Sequence, residues 1–320
     1  MTRTTTVLLA ALMIAVPLSL LAGQVWIDPL NPTVPNATAI LLQLRAPRAA
    51  LALILGAGLG AAGAAMQGYL RNPLADPGLF GIAPSAALGA VLSFFFGYAA
   101  QPWLLPLFAL IGGASAMALL ALIAGRTAGI ALFTLAGMMI ASLAGALTSL
   151  AISLSPNPFA LSEIVTWLMG ALADRGWHEV AIAAPLTAIG LAVLARTGPS
   201  LDALTLGEAA ARSLGVEPVR LQAMMVAGIG LIVGAGVAVA GIIGFVGLMV
   251  PHLVRPCTDG RPSSLLLPSA LAGALLLLVA DCLCRVLPLA GGELRLGIAL
   301  SLIGAPFFLR LLLKMRRTLA

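Results

Sequence analysis

Arg45 and Arg48 stand three apart in "LRAPR", and Asp281 and Arg285 four apart in "DCLCR". Guanidinium and carboxylate groups at such spacings form ion pairs or receive an acid from a partner; they do not break bonds. Asp281 and Arg285 fall on one helix face, which predicts a local pair. Arg45 and Arg48 could equally serve as anchors in lipid headgroups. Thr205 and Glu208 follow the T-x-x-E pattern of a capping box, which predicts a short helix over Leu206–Ser213, stopped by Gly215 and punctuated by Pro218.

Groups for covalent chemistry are missing. His178 and His252 are far apart, and no Ser/His/Asp or paired-carboxylate constellation is visible. Cys257, Cys282 and Cys284 lack metal-ligand spacing and are expected to serve as small packing residues. The single lysine, Lys314, is near the C-terminus, whereas a P-loop needs its lysine directly after a glycine-rich turn. The expectation is therefore a non-enzyme without cofactor or bound metal, and any ATP hydrolysis must come from another polypeptide.

These residues are set in an apolar chain. Of 320 residues 61% are hydrophobic and 9% charged, with a mean hydropathy of +1.11. A soluble domain carries roughly 25% charged residues, so most of this surface must face lipid. The apolar runs have the length needed to cross a hydrocarbon core of about 30 Å. The prediction is an all-α polytopic membrane protein, a single transmembrane domain over 1–320. About ten spans are expected, near 7–26, 47–66, 81–98, 103–124, 129–153, 179–195, 222–243, 244–254, 265–287 and 296–313. The eighth is too short to cross alone and must borrow from its neighbours. The N-terminal apolar run resembles a signal peptide but is taken as the first span. Gly56/Gly60 and Gly230/Gly234 are spaced for close helix approach.

With the N-terminus placed in the cytoplasm, only Arg45, Arg48, Arg175, Arg285 and Arg295 of the 17 basic residues fall outside, as the positive-inside rule requires. Both termini are then cytoplasmic, and the net charge of +6 needs no nucleic acid to explain it. Trp26, Trp103, Trp167 and Trp177 lie near predicted outer ends, where amphipathic rings are favoured. One polar interruption, "NPLADPGLFG", joins the second and third spans. Pro73 and Pro77 each fix a backbone angle, and Asn72 and Gly78 complete a turn suited to holding two helix ends at a set spacing.

At the cytoplasmic segment 197–221, "LGEAAARSLGV" resembles the L-G-x-x-x-A-x-x-L-G coupling loop of ABC importer permeases. "LRAPRAALALILGAGLGAAGAAMQGYLRNPLADPGLFGI", "LSEIVTWLMGAL", "GIIGFVGLMVPHLVR", "GALLLLVADCLCR" and "GELRLGIALSLIGAPFFLRLLL" are similar to segments of the permeases for ferric siderophores, haem and cobalamin, the type II ABC importers. The likeness runs from about Leu44 to the C-terminus. It implies a homodimer in the bacterial inner membrane, two ABC ATPase subunits, and a periplasmic substrate-binding protein that delivers a metal chelate for import by alternating access. It also implies roles for named residues. Leu206, Gly207, Glu208, Ala211, Arg212, Leu214 and Gly215 would couple to the ATPase, and Arg45, Arg48 and Arg285 would dock the binding protein. Ile130 and Ala131, in "TAGIALFTLAG", would form an apolar cytoplasmic gate, and the Asn72–Gly78 turn would be structural. Two stretches depart from the family pattern: "CTDGRPSSLLLP" replaces a charged cluster after Arg255, and Arg295 stands where relatives have proline. An ion-coupled carrier built from an inverted repeat is the competing reading, although mid-membrane charges are scarce. A structural membrane subunit without transport is another.

Overall fold

A backbone surrounded by lipid has no water to bond, so each crossing must satisfy its own N–H and C=O groups; helices do this within one segment. The protein, described as a computed structural model, follows that rule. It covers residues 3–23, 25–27, 36–124, 130–155, 157–287 and 292–319, with side chains for all of these but 79, 124 and 314–319. The first residues of the gate stretch, 127–129, and the Lys314 side chain lie outside the described residues.

The chain folds into α1 (Arg3–Leu21), α2 (Ala37–Tyr69, with an over-wide turn at Ile40–Arg45), α3 (Ile82–Phe95), α4 (Leu104–Ala124) and α5 (Ile130–Ser153). Then come α6 (Pro158–Leu168), α7 (Trp177–Ala195), α8 (Gly198–Leu204), α9 (Glu208–Ser213) and α10 (Pro218–Ala240). The last elements are α11 (Val246–Val254), α12 (Pro262–Val286) and α13 (Leu296–Leu319). Eight of these helices are long and apolar enough to cross a membrane: α1, α2, α4, α5, α7, α10, α12 and α13. Two further passages complete the expected ten. One is α3, which runs back along α4. The other is 241–254, where five non-helical residues lead into α11. The short eighth span is thus irregular in its first five residues and helical after them, with Phe245 at φ 67° just before the helix.

Apolar burial is uneven. In α2 and α10, 78% of the most apolar stretch is covered by other helices, in α12 50%, and in the other long helices 28% or less. The centre is therefore α2, α10 and α12, and the rest form a ring with one face left for lipid or another subunit. Glycine makes the central contact: a Cβ at Gly56 or Gly60 would stand 2.3 or 2.1 Å from the carbonyl oxygens of Gly273 and Ser269 on α12. The same spacing on α10 works differently. Gly230 accommodates the Met117 side chain of α4 rather than a backbone.

Three local expectations change. The second span begins well before 47, because helical backbone runs back to Ala37. Trp167 is buried rather than exposed, since α6 turns Ile164 and Trp167 inward and sets the indole edge-on to Phe94 at 6.3 Å. Cys257 is exposed in the turn after α11, so only Cys284 is a fully buried packing residue.

Candidate functional site

The helix pair α8–α9 joins α7 to α10 at the end of the molecule that also bears Arg3. Its foundation is α8, whose Leu201 and Leu204 are buried. Asp202 accepts a hydrogen bond from the Ser263 N–H at 2.9 Å and another from the Ser263 hydroxyl. Arg261, which precedes α12, offers no side-chain cap, so Asp202 satisfies a free N–H at the start of α12 from a distant part of the chain. The capping box predicted for α9 does not form. Thr205 instead donates its hydroxyl to the Asp202 carbonyl at 2.7 Å, and Gly207, at φ 101°, takes the cap position. The cause is steric: with α8 continuing to Leu204, the chain must reverse before α9, and a glycine in the left-handed region makes that reversal. The helix accordingly starts at Glu208 rather than Leu206.

From this base α9 presents two apolar groups. Leu206 and Leu214, one on either side of the helix, are 67% and 65% exposed. Arg212 and Gly215 are exposed too, whereas Ala211 is buried and fixes the inner face. That inner face borders a small cleft shared by Tyr69, Ile130, Glu208, Ala211 and Arg212. The candidate gate residue Ile130 therefore adjoins the candidate coupling helix, while Ala131 beside it is exposed. Tyr69 meets Phe133 of α5 edge-on at 5.8 Å, and Phe133 meets Phe80 at 4.4 Å.

Phe80 ends the Pro-locked turn. Asn72 accepts the Leu74 N–H through its side chain at 2.9 Å, and Asp76 accepts the Gly78 N–H at 2.8 Å. Pro77 is buried against α11, where a Cβ on Gly247 would be 2.6 Å from the ring. Gln67, just before the turn, donates to the Leu248 carbonyl at 3.2 Å and accepts from Arg255 at 2.9 Å. The α8–α9 pair, Ile130 and the Asn72–Gly78 turn are thus neighbours at one end.

The arginines gather at the opposite end and are nearly all buried. Arg48 grips Asp281 with Nε and Nη2, each at 2.9 Å from Oδ1, and reaches Glu293 with Nη1 at 2.8 Å. Arg285 lies 3.1 Å from Asp281 Oδ2, close enough for the charges although not aligned as a hydrogen bond. Arg45 donates to the carbonyls of Leu20, Leu21 and Val25 at 2.7–2.8 Å, and so closes the end of α1, where carbonyls have no partner of their own. The predicted Asp281–Arg285 pair is present. The longer-range partner of Asp281, Arg48, has no local sequence signal, and neither does Asp202 as a cap for α12. Glu293 is the open limb of the cluster: its side chain is 30% exposed, that of Arg48 11% and that of Asp281 0%.

The whole is a helical membrane bundle with a broken eighth crossing and a short exposed helix pair based on α8. Comparison with known proteins makes this specific: residues 8–314 match the FecCD transport family, and the chain belongs to it. It is 37% identical over 310 residues to the vitamin B12 import system permease protein BtuC of Escherichia coli O9:H4 (strain HS), covering 96% of this chain and 93% of that protein. The corresponding protein of Citrobacter koseri is 36% identical over 307 residues, covering 96% and 92%. A solved structure of a "metal-chelate type ABC transporter" in an inward-facing conformation superposes with a TM-score of 0.89 at 32% identity, over 97% of this chain and 98% of that one. The chain is a multi-pass inner-membrane permease of the type II ABC importer class.

Proposed function

We propose that two copies of this chain form the membrane pathway of an ATP-driven importer that carries a metal chelate (iron–siderophore, haem or cobalamin) from periplasm to cytoplasm. The pathway opens to either side in turn as two partner ATPase subunits close and open. The end bearing α8–α9 and both termini is cytoplasmic. The observation that carries this reading is the α9 helix, braced from within through Asp202 and Ala211 yet exposing Leu206 and Leu214. Apolar pads on a braced two-turn helix suit insertion into a cleft of the ATPase, with Gly207, Glu208, Ala211, Arg212 and Gly215 setting its shape.

At the periplasmic rim, a substrate-binding protein docks over Arg45, Arg48 and Arg285. Because these arginines are already engaged, docking proceeds by exchange. A carboxylate of the partner takes the place of Glu293 on Arg48, while Asp281 keeps the remaining fork. Ile130 and Ala131 form an apolar constriction at the cytoplasmic end, and the turn at Asn72, Pro73, Pro77 and Gly78 sets the spacing beneath it.

The test is uptake into proteoliposomes that hold this chain, its ATPase and its binding protein, with labelled ferric siderophore, haem and cobalamin. Uptake of one cargo that requires ATP and collapses in Glu208→Lys plus Arg212→Glu is the expected result. Uptake without any ATPase, driven by a proton or sodium gradient, would refute it in favour of an ion-coupled carrier.

A further inference from the structure

At the rim that carries the arginine cluster, but separate from it, lies a cavity of 460 Å³. It is walled by the end of α3, by α6, by the loop 171–175, and by Arg295 just before α13. That volume is ordinary for a small-molecule site, which typically occupies about 300–1,000 Å³. Its distinguishing chemistry is two guanidiniums, Arg175 and Arg295, brought together from stretches far apart in sequence. Neither lies within 4.0 Å of a carboxylate oxygen among the described residues. This sets them apart from Arg48 and Arg285, whose charges are answered inside the chain.

Two donors at this wall are orphaned. The Nε of Arg175 and the indole N–H of Trp167 are both buried without a hydrogen-bond partner, and Trp167 is only 7% exposed. Buried donors are nearly always satisfied within the fold, and the unmet Nε marks Arg175 as a guanidinium whose bonding capacity the chain leaves partly unused. Burial works against the charge of Arg175, Glu179 and Asp174 support it, and nearby Arg295 opposes it again. An incoming anion would relieve both adverse effects. The hydroxyls of Ser162 and Thr166 add further polar contacts. Glu163 and Asp174 also border the cavity, but both are exposed, so the acids stand at its lip while the arginines are half-buried within.

We propose that this cavity is an anion subsite, in which Arg175 and Arg295, backed by the Trp167 ring, hold a carboxylate or phosphate group of the chelate as it leaves the binding protein. The proposal rests on the importer reading above. It gives the cargo a charge sign at the point of entry: a chelate with at least one peripheral acid group. A small molecule fits better than a protein side chain, because an approaching acidic protein surface would meet Glu163 and Asp174 first.

The full chain in detergent at low salt is titrated with citrate and with inorganic phosphate, with tryptophan fluorescence as the readout. Saturable quenching is expected, lost in Trp167→Phe if the signal arises at this wall. Arg175→Gln with Arg295→Gln should weaken citrate binding at least tenfold, and Arg175→Lys with Arg295→Lys should restore part of it. Glu163→Gln should tighten it slightly. Elution as a single species, with an unchanged melting temperature, checks that each variant folds. Equal citrate affinity in the wild type and the double glutamine variant would overturn the proposal, as would absence of saturable binding. Unchanged citrate binding combined with weaker binding-protein association would also overturn it, and would assign the arginines to a protein contact. Citrate binding that depends on both arginines, in a chain that supports no ATP-driven uptake, would leave the subsite standing while the importer reading falls.

Discussion

The two ends of this permease solve the problem of meeting a partner in opposite ways. At the α9 end, polar groups turn inward to brace the structure and leucines are left outside. At the other end, Arg45, Arg48, Asp281 and Arg285 are buried, and only Glu293 opens partly to solvent. The first surface is complete before a partner arrives and can bind by shape. Under the docking proposed above, the second must break an ion pair to make one, so association there would depend on whether the partner's acid outcompetes Glu293. A tight, permanent contact suits the first end and a reversible one the second.

The largest effect should come from striking the rim cluster. Asp281→Ala leaves Arg48 and Arg285 buried without their shared acid, and breaking such a pair costs about 3–5 kcal/mol. The variant should give little monodisperse protein and a sharply lower melting temperature in detergent; a wild-type melt would show that the cluster does not hold the rim. The next effect belongs to the other end. Leu206→Asp with Leu214→Asp should weaken ATPase association about tenfold or more, equivalent to about 1.4 kcal/mol. Its own melting curve should not move, because both side chains are outside. If association measured by pull-down or titration is unaffected, the pads are not the contact.

Smaller changes sharpen the same contrast. Asp202→Ala removes the cap on α12 and should cost about 1 kcal/mol, seen as a modest loss of thermal stability. Uptake per ATP hydrolysed should fall alongside it; retained coupling would show that the brace is not needed. Thr205→Val should change stability by less than about 0.5 kcal/mol, since the Asp202 carbonyl that the hydroxyl reaches already accepts the Thr205 N–H. A loss near 1 kcal/mol would instead restore the capping box that the sequence suggests.

Much of this contrast is written locally in the chain, and some of it is not. Spans such as 130–153 and 177–195 are legible because one apolar run of the right length can only be a helix in lipid. The pair Asp281–Arg285 is legible because a helix places residues four apart on one face. The bond from Arg48 to Asp281 is not, because it joins side chains 233 residues apart and depends on how α2 packs against α12. Asp202 escapes notice for the same reason. Thr205 misleads because T-x-x-E marks a helix start only if the preceding residues are not already helical, and here α8 occupies them. The crossing 241–254 is half-legible: its shortness shows, but its non-helical half is set by distant packing, such as Gly170, where a Cβ would stand 2.2 Å from the Ile242 carbonyl oxygen.

One helix touches both ends. With 25 residues α12 is about 37 Å long, continuous through Pro268, capped by Asp202 at its start and held by Arg48 near its finish. Thermodynamic linkage then acts through a single rigid body. If a protein at the rim changes how α12 sits, and thereby changes the affinity of the α9 end for its ATPase, the ATPase must change the rim's affinity for that protein by the same factor. In the importer proposed above, release of the delivery protein and grip on the motor would, through this rod, be two readings of one equilibrium.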